Sequence, residues 1–109
     1  MTRRILPQRR FAETFAVTFG PNRFMLSIGF YETDGSPAEI FITGTKAGSD
    51  LEALARDGAV LLSLALQYGV SAQTIAHAIT HDSNNGPASI IGMMADQLAA
   101  GDKRNNGDG

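Results

Sequence analysis

The sequence predicts an α+β domain, a three-stranded antiparallel meander packed on a central helix with two further helices. Three observations carry this. Residues 11–43 alternate between apolar and polar side chains in three runs, residues 51–66 repeat apolar side chains at helical spacing, and glycine-containing turns separate the runs.

The first strand is Phe11 to Phe19, with Phe11, Phe15, Val17 and Phe19 on one side and Ala12, Thr14, Ala16 and Thr18 on the other. Gly20-Pro21-Asn22 breaks it. The second runs from Arg23 to Tyr31, where Phe24, Leu26, Ile28 and Phe30 share a face, and Asp34-Gly35 supplies a hairpin signal. The third is Ala38 to Thr43. Together they make a meander whose apolar face must be covered. The cover is the next segment, Leu51 to Tyr68, in which Leu51, Leu54, Ala55, Gly58, Leu61, Leu62, Ala65 and Leu66 form a wide inward stripe. Ser49 or Asp50 caps it and Gly69 stops it. Gly58 inside a helix disfavours it by about 1 kcal/mol relative to Ala, so another backbone is expected to approach closely there.

A shorter helix follows from Ser71 to about Ile79, with Ile75, Ala78 and Ile79 inward. His81 to Gly86 is a polar loop. Pro87 suits the first turn of a last helix, Ala88 to about Ala100, which places Ile90, Ile91, Met94 and Leu98 on its apolar side. The expected organisation is a basic arm over residues 1–10, a single domain over 11–100 and a disordered polar tail over 101–109.

Composition narrows the function. A chain of 109 residues without cysteine has no disulfide, thiolate metal site or thiol catalysis, and it fits a reducing, cytoplasmic compartment. Arg3, Arg4, Arg9 and Arg10 put four positive charges in the first ten residues, leaving five basic against eleven acidic residues elsewhere. The folded body is therefore acidic, which argues against general nucleic-acid binding. The arginine arm reads as a solvated, frayed terminus that is also able to touch an acidic partner. Its start lacks the continuous apolar stretch of a signal peptide, and the most apolar run, Ala59 to Leu66, is too short to span a membrane, so a soluble protein is expected.

The best candidate site is the junction Gly44 to Ser49 between the third strand and the central helix. Backbone amides at a helix N-terminus, the Lys46 ammonium and the Ser49 hydroxyl suit a phosphate or carboxylate, so Gly44, Lys46, Gly48, Ser49 and Asp50 are the candidate ligand-binding residues. The spacing is neither a Walker loop nor a dinucleotide fingerprint, an ordinary strand-to-helix connection would use the same glycines, and Asp50 opposes a phosphate unless it acts as the cap. His77 and His81 stand at i and i+4 but lack a third ligand, so no metal site is expected. Glu52, Arg56 and Asp57 read as the solvated helix face. No catalytic residues are assigned, and acid-base chemistry by His77, His81 or Asp82 is the third-ranked reading. Met93 and Met94 fit either core or a docking surface, and their helix is the one expected to contact a partner.

The strand Glu39-Ile40-Phe41-Ile42, the loop residues Gly44, Lys46, Ala47 and Gly48, and the helix end Ser63-Leu64-Ala65-Leu66 with Gly69-Val70 resemble a known family. It is the TSCPD-type domain, found at the C-terminal end of adenosylcobalamin-dependent (class II) ribonucleotide reductases and as small stand-alone proteins. Weaker similarity extends from about Arg10 through Leu98 and includes Pro87-Ala88-Ser89-Ile90-Ile91-Gly92. The chain departs from the reductase-attached versions in lacking their cysteine-containing tail. Reduction in that family uses a cysteine thiyl radical and a redox cysteine pair, so the resemblance implies a non-catalytic accessory module of deoxyribonucleotide synthesis. It would bind the class II reductase catalytic chain, with adenosylcobalamin belonging to that partner and no cofactor held here. The alternative is a free-standing nucleotide or small-anion binding protein using the Gly44–Ser49 loop. With 43% hydrophobic residues in so short a chain, self-association as a symmetric homodimer also fits.

Overall fold

A computed structural model describes residues 2–6, 11–44 and 49–106. The architecture is the expected α+β one: β1 (Phe11–Phe19), β2 (Asn22–Phe30) and β3 (Pro37–Thr43) form an antiparallel sheet in the order β1-β2-β3, followed by α1 (Asp50–Gln67), α2 (Ala72–Ala78) and α3 (Ile90–Asn106). Register follows alternation. Val17 lies opposite Phe24, Phe15 opposite Leu26, and Leu26 opposite Ile42, so the apolar positions of all three strands share the face that meets the helices. Phe24, Leu26, Ile28, Phe30 and Ile40 are buried there with Met94 and Leu98 of α3. A residue slip in any strand would turn this set to solvent.

The helix ends are fixed locally. The Ser49 hydroxyl oxygen accepts from the Glu52 amide at 3.1 Å, so Ser49, rather than Asp50, caps α1. At its C-terminus Val70 N–H donates to the Ala65 carbonyl and Gly69 N–H to the Leu66 carbonyl, both at 3.0 Å, with Gly69 at φ +99°. That double bond pattern needs a left-handed residue after the helix, which glycine adopts without strain. Ser71 caps α2 through the Thr74 amide at 3.1 Å.

Several expectations need correction. Leu54 and Leu61, read as part of the inward stripe of α1, are 54% and 67% exposed. Gly58 is crowded by a side chain, not by backbone: a Cβ there would stand 2.6 Å from Ile91 Cγ1 of α3. The last helix starts at Ile90, where the Ser89 hydroxyl accepts from Gly92 N–H at 3.0 Å, while Pro87 pairs with His81 in an isolated bridge before it. Met93 and Met94 are core residues, which removes them from any docking surface.

The described residues towards both ends make more contacts than expected. α3 runs on through residue 106 instead of ending near Ala100, because Gly101 is buried against the Phe30 ring and the next turn finds partners. Gln73 Nε2 donates to Asp102 at 2.7 Å, and Arg104 pairs with Glu13 at 2.8 Å. Residues 107–109 of the expected tail lie outside the described residues. In the basic arm, Arg4 N–H donates to the Gln67 carbonyl at 2.6 Å and Arg3 Nε to Gln67 Oε1 at 2.7 Å. This stretch is tied to the end of α1 rather than frayed. Arg9 and Arg10 lie outside the described residues.

Candidate functional site

Of the predicted ligand-binding residues, Gly44, Ser49 and Asp50 are described, and Lys46 and Gly48 lie outside the described residues. Gly44 sits at φ +101°, and a Cβ there would come within 3.2 Å of the Arg23 carbonyl and Phe24 Cα of β2. The sheet itself therefore demands glycine at that position. Ser49 is engaged as the α1 cap, and the first turn carries two acidic residues, Asp50 and Glu52. Their charges offset the partial positive charge with which a helix N-terminus attracts anions.

The histidines are not brought together as a helical pair. α2 ends at Ala78, Ile79 is already extended, and His81 lies in the bridge to Pro87, so the i, i+4 geometry is absent. Among the described residues no group of three or more His, Asp or Glu side chains is placed to hold a metal ion. Asp82 is engaged in its own loop, accepting from Asn84 N–H and Gly86 N–H at 2.9 Å.

The structure assembles instead a groove of about 540 Å³ between α1 and the outer edge of β3. Its walls are the apolar side chains of Leu6, Phe41, Ile42, Ala59, Val60 and Leu64, with Arg3, Glu39, Glu52 and Arg56 around them, and one end reaches Gly44. Its floor is made by hydrogen bonds from α1 to the strand edge. Ser63 Oγ accepts from Ile40 N–H at 2.9 Å and donates to the Ile40 carbonyl at 3.3 Å, and Gln67 Nε2 donates to the Ala38 carbonyl at 3.1 Å. An open edge strand would leave these groups to water or to another chain. Gln67, only 3% exposed, joins the β3 edge, the end of α1 and the N-terminal residues in one network.

Beside the groove, Arg4 stacks 3.5 Å above the Tyr31 ring and reaches Asp34 Oδ2 at 3.1 Å and Thr33 Oγ1 at 2.8 Å. Burial alone would raise the Asp34 carboxyl. The hydrogen bonds from Ser36 Oγ at 2.7 Å and Ser36 N–H at 3.0 Å, with Arg4, outweigh it and hold the group below the ordinary carboxylate range. Tyr31 is pushed up, first by burial and then, against the lowering effect of Arg4, by Asp34. Its hydroxyl has no hydrogen-bond partner among the described residues.

The sequence reading passed over Phe41, Val60 and Leu64 as functional positions. A signal for Val60 was available. The run Ala59 to Leu66 is apolar on more of its circumference than one buried face requires, and the surplus, Val60 and Leu61, is exposed.

Among curated proteins, the chain is 34% identical over 76 residues to a vitamin B12-dependent ribonucleotide reductase of Rhodopirellula baltica, and 37% identical over 75 residues to one of Agrobacterium fabrum. These matches cover 70% and 69% of this chain but only 7% and 6% of the reductases, so the chain corresponds to a small part of each. No solved structure matches. The TSCPD domain model matches residues 1–101, nearly the whole folded region and the tethered N-terminal residues with it. The chain belongs to the TSCPD domain family.

Proposed function

We propose that this chain is a non-catalytic accessory module of a vitamin B12-dependent (class II) ribonucleotide reductase and acts by binding the reductase's catalytic chain. The observation that carries the reading is the lopsided match: about two thirds of this chain resembles reductases of which it spans less than a tenth. A segment occupying so little of a large enzyme is suited to docking or regulation of its host. The absence of cysteine supports the non-catalytic part, since thiol radical chemistry needs a thiol that these 109 residues lack. On this reading adenosylcobalamin belongs to the reductase chain, and the module works in the cytoplasm beside it.

The test is binding of the purified chain to the class II reductase of the same cell, followed by sedimentation. A defined complex supports the reading, and independent sedimentation of the two proteins at micromolar concentrations sinks it.

A second reading keeps the Gly44–Ser49 loop as a nucleotide or small-anion site with no reductase involved. It is favoured by the Ser49-capped α1 N-terminus and opposed by Asp50 and Glu52 in the same turn. Calorimetric titration with nucleoside triphosphates and inorganic phosphate decides it: binding that is lost in Lys46→Ala supports the site, and no heat in the unsubstituted protein removes it.

A further inference from the structure

We infer that the outward face of α1 is a homodimer interface, in which two copies pack their α1 helices antiparallel about a two-fold axis. This inference stands independently of the reductase reading.

The face has the pattern of a helix-pairing seam. Leu54, Leu61 and Tyr68 follow one another at seven-residue intervals, with Asp57 and Leu64 between them at the alternating three- and four-residue spacing of a coiled-coil stripe. The stripe points away from the core, with Leu64, half-buried at the rim of the β3 groove, at its margin. Leu54 is 54%, Leu61 67% and Tyr68 39% exposed, and Val60 beside them is 57% exposed. Large apolar residues repeating in register on a solvated helix face leave a surface that another helix is shaped to cover.

The identity of that helix follows from the one charge in the stripe. Asp57 would be buried by any apolar partner and needs a donor opposite it. In an antiparallel pair of α1 helices set so that Leu61 meets Leu64 of the second copy, Asp57 falls opposite Tyr68 of that copy, and Tyr68 opposite its Asp57. Each carboxylate then accepts from a phenol hydroxyl, twice by symmetry, and the two leucine layers lie between. This one register pairs Leu61 with Leu64 and Asp57 with Tyr68 at once, as a two-fold interface requires of a self-complementary surface, and leaves Leu54 at its margin, opposite position 71 beyond the end of α1.

An 18-residue helix is about 27 Å long. One helix pair covers less than the roughly 800 Å² per partner of a standard interface, so the dimer is expected to be reversible, with a dissociation constant in the micromolar range.

The experiment is sedimentation equilibrium of the full chain across roughly 10 to 500 µM, with Leu61→Glu and Tyr68→Phe as variants and circular dichroism to check that each is folded. The expected result is a concentration-dependent dimer, lost in Leu61→Glu and weakened several-fold in Tyr68→Phe. Because the chain has no cysteine, register is read by mixing Leu61→Cys with Leu64→Cys protein under oxidation. The mixed pair should crosslink faster than either variant alone. A monomer throughout the range overturns the proposal, also if Leu61→Glu then abolishes reductase binding and so assigns the face to that partner. A dimer indifferent to Leu61→Glu, or Leu61→Cys crosslinking best with itself, overturns it too.

Discussion

Ser63 of α1 bonds both backbone groups of Ile40 in β3, accepting from its N–H at 2.9 Å and donating to its carbonyl at 3.3 Å. A helix side chain thus occupies the place of a fourth strand at this point on the edge. Replacing Ser63 by Ala leaves both groups on a partly buried edge without that partner, at a cost of about 1 to 3 kcal/mol. Urea denaturation measures the loss, and exchange of the Ile40 amide should accelerate alongside it. Unchanged stability would mean that water replaces the hydroxyl.

Gln67 extends the same edge. Gln67→Leu keeps the side chain's bulk but leaves the Ala38 carbonyl and the Arg3 guanidinium without this partner. The expected cost is again about 1 to 3 kcal/mol. Trypsin should also cut faster after Arg3 and Arg4, since their tether is weakened. Equal cleavage rates in the two proteins would show that the backbone bond from Arg4 suffices.

Gly58→Ala sets two effects against each other. Helix propensity favours Ala by about 1 kcal/mol, whereas the new methyl would meet Ile91 Cγ1 at 2.6 Å. The β-branched Ile91 has little rotamer freedom in a helix, so the clash should win and give a net loss of about 1 to 2 kcal/mol. In an Ile91→Ala background the same change should become stabilising. A coupling energy near zero in this double-mutant cycle would refute the contact.

Residues 102–106 are predicted to contribute to stability. Deleting residues 102–109 removes the contacts of Asp102 with Gln73 and of Arg104 with Glu13. Both are exposed, so the loss is modest, about 1 kcal/mol together, or roughly 4 to 8 °C in Tm for a domain of this size. A disordered tail would leave Tm where it was.

Asp34 sets an acid limb. Its carboxyl titrates lower in the folded chain than its ordinary value of 3.8, so the folded state favours the ionised form. That contribution is fully present above the unfolded value and disappears as pH falls below 3.8 through the folded one. The side chain is 52% exposed, so solvent screening keeps the effect well under ~1 kcal/mol. Stability measured between about pH 5 and pH 2 should fall less steeply in Asp34→Asn than in the unsubstituted protein. Parallel curves would contradict the assignment.

Much of the fold was legible because it is encoded locally. Period-two alternation set the three strands and the face they bury, Asp34-Gly35 set a turn, and Ser49, Ser71 and Gly69 marked helix ends through bonds spanning no more than five residues. The candidate loop was legible only as a pattern. Ser49 proved to be a cap and Gly44 a requirement of the sheet, because a small residue at a strand-to-helix junction looks the same whether it serves a ligand or a turn.

Local pattern along the chain was enough for the α+β class, the meander and the family. Tertiary structure alone decided that Leu54 and Leu61 face solvent, that Ile91 fills the space over Gly58, and that Arg3 and Arg4 are held by Gln67. Periodicity reports which residues of one element share a side. Which side is covered, and by what, depends on groups far apart in the chain, such as Arg3 and Gln67 or Gly58 and Ile91, whose meeting no local spacing records.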